Sequence, residues 1–330
     1  METTAKELVR RLFSLQTVSR LPVLPFISCW SAKVGQVSVR EMWADPSLLV
    51  HSLLQAHQVA GSDWVAGPLD ITLEAEAGGC RLEWGEEGAP PQVVSHPWQG
   101  LPSIPGDRDL FLMAEGGRLA AVMEMIKRIA VIRGRQVAVA GTVTGPCTLA
   151  GLLLGEDPSA RGVGQPELTG QWFAAAGDMA LRLLRAYGEL RVEAVVLAEA
   201  DMPPGGIATP PLLEFLRSWI NISRFYRIAP LFYGSSITFK DLELLASLGI
   251  RGVMAGHWEF DAMRLTESPL LNRICIGVDV FSDPASVSEM GGWKEIWEGS
   301  GKRGLFLTGE ITYHASVAQV RKVVMQVAGK

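Results

Sequence analysis

The chain has 330 residues, 48% hydrophobic and 20% charged, with a formal net charge of -5. That is enough chain for a full core, and its mildly acidic balance gives no electrostatic reason to expect nucleic acid or an anionic membrane as partner. No run of about 18 uncharged apolar residues occurs, so no membrane-spanning helix is expected. In chain order, short apolar runs predict strands at 21–28, 64–67, 136–142, 194–199, 228–233, 249–255, 273–278 and 304–308. Amphipathic stretches between them predict helices at 110–133, 170–190, 212–225, 239–248 and 317–327, with Thr238 and Ser316 as N-caps. The segment 73–105, rich in Gly and Pro, reads as an excursion after the second strand that forms a hairpin or lid within a single domain.

Eight short apolar strands alternating with helices predict a (β/α)8 TIM barrel. An open doubly wound sheet is the competitor, but no GxGxxG loop follows the first strand. Four cysteines, Cys29, Cys80, Cys147 and Cys275, are scattered without a CxxC pair. Together with an N-terminus that lacks a basic start and apolar run, this favours reduced thiols in a cytoplasmic protein.

In a barrel the working residues sit at the C-terminal ends of the strands. Those ends carry Cys29 and Trp30, Asp70, Gly145-Pro146-Cys147, Glu199 and Asp201, Tyr233, His257, Asp279 and Glu310. Glu199, Asp201, His257, Cys275 and Glu310 are the candidate metal ligands or acids there. His257 reads equally as a packed histidine, and Cys275, inside an apolar run, as core. Asp70 is either a reacting group or a cap for nearby amides. Phe26, Trp30, Trp43, Trp64, Tyr233 and Trp258 would give the mouth an aromatic lining suited to a flat apolar substrate, against the alternative of ordinary core packing.

Three stretches carry a family resemblance: Asp70-Ile71-Thr72-Leu73-Glu74 through Cys80 with His96-Pro97; Gly141-Thr142-Val143-Thr144-Gly145-Pro146-Cys147-Thr148-Leu149; and 230–236 with Cys275-Ile276-Gly277-Val278-Asp279. Together they resemble the uroporphyrinogen decarboxylase superfamily, whose fold is a (β/α)8 barrel. The decarboxylases themselves use an arginine-rich loop after the first strand to hold substrate carboxylates. Here that loop reads Ile27-Ser28-Cys29-Trp30-Ser31-Ala32-Lys33, with one basic residue, although Asp70 matches their pyrrole-facing aspartate.

The other branch, the corrinoid-dependent methyltransferases, implies a zinc site with His, Cys and a second Cys. Those positions fall on Leu231, Tyr233 and Glu310. Fewer thiolates would leave a metal harder and more acidic, suited to polarising an ether oxygen rather than a thiol. The resemblance thus implies transfer of a methyl group from a small methylated compound, first choice a methoxylated aromatic, to the cobalt of a corrinoid carried by a separate protein. No Asp-x-His-x-x-Gly corrinoid module lies in this chain. On this reading Glu199, His257, Cys275 and Glu310 are candidate zinc ligands. Tyr233, Asp70 and Asp201 are candidate acids or bases, and Trp30, Cys147 and Trp258 contact substrate. The alternatives are decarboxylation of a porphyrinogen-like acid using Asp70, and a non-catalytic barrel that binds a corrinoid or its protein.

Overall fold

A computed structural model describes residues 3–103, 117–155, 166–202, 205–282 and 290–328. Its centre is a curled seven-stranded parallel sheet. The strands are β1 (Trp64–Ala66), β4 (Ala138–Thr144), β5 (Ala194–Glu199), β6 (Ala229–Ile237), β7 (Gly252–Trp258), β8 (Cys275–Asp279) and β9 (Leu305–Thr308), in that order across the sheet. The short pair β2 (Leu82–Glu83) and β3 (Gln92–Val93) forms a separate antiparallel hairpin within 73–105. Residues 104 and 105 of that segment lie outside the described residues, as does 110–116 of the helix expected at 110–133.

Strands β4, β5, β8 and β9 are short, apolar and buried along nearly their whole length, as a parallel sheet covered on both faces demands, while β6 and β7 emerge toward their C-terminal ends. Helices cover the sheet: α1 (Ala5–Phe13), α2 (Trp30–Gly35), α3 (Val39–Ala44), α4 (Pro46–Ala60), α5 (Thr72–Ala77), α6 (Gly117–Ile132), α7 (Pro146–Leu154), α8 (Pro166–Glu189), α9 (Pro210–Tyr226), α10 (Phe239–Leu248), α11 (Met290–Gly299) and α12 (Val317–Ala328). Both expected N-caps form. Thr238 makes a reciprocal capping box with Asp241, and the Ser316 hydroxyl accepts from the Gln319 amide. Among the described residues no helix is long and apolar enough to cross a membrane.

The strand expected at 21–28 is replaced by two isolated parallel bridges, Val23 to Leu307 and Phe26 to Glu310. The cause is in the residues. Pro22 and Pro25 have no amide hydrogen to give to a ladder. Toward β9 the backbone still pairs: the amides of Leu24, Phe26 and Ile311 donate to Leu307, Gly309 and Phe26. Toward β1 side chains do most of the joining. The Asp63 carboxylate accepts the Val23 amide at 2.9 Å and the Arg20 guanidinium at 2.7 and 2.6 Å, and the Trp64 indole donates to the Pro25 carbonyl at 2.8 Å.

Candidate functional site

The strand ends bring four acidic or phenolic groups together. Asp279 closes β8, and its Oδ1 accepts the amides of Phe281 and Ser282 at 3.0 and 2.9 Å. Gly309, between β9 and Glu310, takes φ +114° and lies so close to Asp279 that a Cβ would overlap its carboxylate. That glycine lets the chain turn Glu310 into the mouth. Burial lifts the Glu310 carboxyl to about 7; Ser28 draws it back, and the charges of Asp70 and Asp279 raise it further. Tyr233, half-buried on β6, has its phenol raised by burial and then by Asp279 and Glu310. Cys29 is pushed up to about 12, first by burial and then by Glu310 and Asp70, so its thiol stays protonated at neutral pH.

Asp70 is held on both oxygens. Oδ1 accepts the Thr72 amide and hydroxyl at 2.8 and 2.6 Å, and Oδ2 accepts Arg118 Nη1 at 2.5 Å. Sequence reasoning missed Arg118, because an arginine in an amphipathic helical pattern looks like part of a solvated face. It also missed Glu74. This acid is buried on α5 and accepts the Thr144 amide and hydroxyl at 2.8 and 2.6 Å, while burial raises its carboxyl to about 7. The Asp-Ile-Thr-Leu-Glu spacing, one helical turn after a strand end, was the available signal.

The other expected ligands do not join Glu310. Glu199 ends β5 fully buried. Its Oε1 accepts the Cys147 amide at 3.0 Å; its Oε2 accepts the Thr148 amide and hydroxyl at 2.9 and 2.8 Å. It is thereby the cap for α7, where Gly145 has no side chain to do so and Pro146 has no amide hydrogen. Burial still outweighs those bonds and leaves the carboxyl at about 7. Cys275 is the first residue of β8, at the opposite end of that strand from Asp279. Its buried thiol donates to the Leu12 carbonyl at 3.2 Å, and burial raises it. That placement corrects its assignment to the mouth. His257 is exposed near the end of β7.

Zinc needs three protein donors and an open position. Among the described residues no group of three or more His, Cys, Asp or Glu side chains is placed to hold a metal. The side chains present therefore do not fit the zinc site that the resemblance implies.

Of the remaining expected site residues, Trp30 is fully buried and donates its indole N–H to the Ala315 carbonyl at 3.0 Å, so it braces the loop after β9. Phe26 and Trp64 pack on each other in the core at 5.5 Å. Cys147 is buried at the start of α7, and Asp201 is exposed, with its amide donating to Thr148 Oγ1 at 3.1 Å. Trp258, half-buried, meets Phe260 edge-on at 5.4 Å. Lys33, the single basic residue of its loop, donates to the carbonyls of His314 and Ala315 at 3.1 and 3.2 Å.

A family model described as Uroporphyrinogen decarboxylase (URO-D) matches residues 4–204. Methylcobamide:CoM methyltransferase MtbA of Methanosarcina mazei is 28% identical over 152 residues, which cover 45% of this chain and 44% of that protein. Methylcobamide:CoM methyltransferase MtaA of Methanosarcina barkeri is 24% identical over 180 residues, 54% of this chain and 52% of that one. The chain spans about half the length of the curated relatives it matches. Among solved structures, a methyltransferase from Methanosarcina mazei superposes with a TM-score of 0.77 at 20% identity, covering 98% of each chain; at that identity the likeness concerns the fold.

Proposed function

Because this chain belongs to the uroporphyrinogen decarboxylase family, we propose that it is a methyltransferase working with the corrinoid of a separate protein, and that its methyl donor is a small methoxylated aromatic. On this reading the segment 22–26 is the eighth stave of a closed (β/α)8 barrel, and the strand ends are its reaction face. Glu310 carries the proposal: a half-buried carboxyl lifted to about 7 stands with Tyr233 and Asp279 where the branch's metal signature has been replaced. A carboxyl so lifted holds a proton near neutral pH, as a general acid must. The O–CH3 bond breaks with its electron pair left on oxygen, and Glu310 delivers its proton to that oxygen. Tyr233 orients the ring oxygen by hydrogen bonding. The corrinoid cobalt supplies the acceptor for the methyl group. No step is assigned to zinc, since the donors do not converge.

The test is to incubate the purified chain with chemically reduced cobalamin and 2-methoxyphenol, following methylcobalamin by absorbance and catechol by chromatography. We expect product from the native chain and a loss of about 10²–10⁴-fold in Glu310→Gln. Activity should fall as pH rises through about 7, where Glu310 loses its proton. Absence of any methyl transfer, or a Glu310→Gln variant as active as the native chain, overturns the reading. One observation favours a second reading, a barrel that binds a corrinoid protein without catalysis: Glu199 and His257 do not join Glu310. Retention of a corrinoid protein on the immobilised chain, with no methyl transfer, would select it.

A further inference from the structure

Arg118, the second residue of α6, is 4% exposed, yet its guanidinium reaches five other residues on four separate pieces of chain. Its Nη1 donates to Asp70 beyond the end of β1 at 2.5 Å. Its Nη2 and Nε donate to Thr72 Oγ1 and Glu76 Oε2 on α5, both at 2.8 Å. The guanidinium carbon lies 5.9 Å from the ring centre of Trp43 on α3 and 5.5 Å from that of Trp84, the residue after β2. We propose that Arg118 is a positioning residue that fixes Asp70 at the mouth and clamps the 82–93 hairpin beside it. The relevance to catalysis rests on the reading of the mouth as the reaction face; the clamp itself does not.

The residue type suits the task. Only arginine offers a planar fork of donors that bonds two acids and a hydroxyl while keeping a face for aromatic rings. Lysine would bring one point charge. The hairpin has two further supports on the same side. Glu87 Oε1 accepts the Val39 amide at 2.7 Å, and Gly88, at φ +91°, lies against the Tyr313 ring where a Cβ would overlap it. Those contacts hold the hairpin tip. Trp84, directly after β2, opens the connection between the two strands, so Arg118 is the link that ties placement of the hairpin to placement of Asp70.

Hydrogen–deuterium exchange on the full chain tests this without any need for turnover. In Arg118→Met, amides of 82–94 should exchange about tenfold faster or more, while β5 and β6 keep their native rates. Arg118→Lys should lie between the two. Trp84→Ala should loosen the hairpin and leave α5 as in the native chain, because the Arg118–Asp70 pair survives. In the cobalamin assay, Arg118→Met should lower kcat, and Arg118→Lys should recover part of it. Native hairpin exchange in Arg118→Met, or equal acceleration in every element, overturns the clamp and leaves Arg118 a core residue. If Arg118→Met does not fold, native hairpin exchange in both Arg118→Lys and Trp84→Ala does the same. Should the native chain transfer no methyl group, the proposed function fails while the exchange result stands on its own.

Discussion

Glu199 and Glu310 occupy equivalent strand ends and both have carboxyls lifted to about 7, yet their surroundings assign them different work. Glu199 accepts three hydrogen bonds from the start of α7, so its role is structural. Replacing it by Gln turns an amide nitrogen toward N–H donors. We expect a loss of about 1–3 kcal/mol, read by urea denaturation. Glu310 accepts no such set, and its ionisation is opposed by burial, Asp70 and Asp279. Glu310→Gln should therefore leave the pH-dependent part of stability unchanged well below pH 4.5 and raise it progressively from about pH 4.5 to 7, the gain levelling off above that, because the unfolded chain ionises before the folded one. An unchanged difference between native and variant across that range would count against the lifted carboxyl. Residue type and strand-end position made both glutamates legible as candidates. Their separation was not legible, because it depends on a backbone turn at Gly145 and on Gly309 approaching Asp279. Arg118 was invisible for a related reason: what pairs it is tertiary.

Strands were the most legible elements, because buried parallel strands are short apolar runs bounded by turn residues. Seven of the eight expected positions overlap strands of the sheet, and 194–199 coincides with β5. The eighth, 21–28, shows the limit of apolar content as a signal. Two prolines leave it unable to donate regularly, and the Asp63 carboxylate takes the Val23 amide instead. Removing that acid strands a guanidinium and an amide, so Asp63→Ala should cost about 2–3 kcal/mol in denaturant titration. The short helices α2, α3 and α5 were missed because six residues hold too little periodicity to detect. Where a cap is local, prediction was easier. Thr238→Ala should cost about 1 kcal/mol, a drop of a few degrees at most in thermal melting.

Across the whole molecule, buried acids set the response to pH. Glu74, Glu199 and Glu310 all have folded-state values raised from 4.5 to about 7. The folded state then binds more protons than the unfolded chain between those values, so stability is full below about 4.5 and declines until pH passes about 7. Each acid contributes a slope of at most about 1.4 kcal/mol per pH unit in that window. Melting temperature measured from pH 5 to 8 should fall, and the fall should be shallower in Glu310→Gln. A flat profile would mean that these carboxyls ionise freely inside the fold.

The seam beside 22–26 has a mechanical consequence. Along the sheet, neighbouring strands share load through evenly spaced backbone bonds, whereas between this segment and β1 the load passes through one carboxylate, one indole, the Ser62 hydroxyl and a main-chain bond from Asp63 to Val23. Pulled apart in an optical trap with handles on either side, the molecule should rip first along that line, at lower force than between any two neighbouring strands of the sheet, and Asp63→Asn should lower the rupture force further.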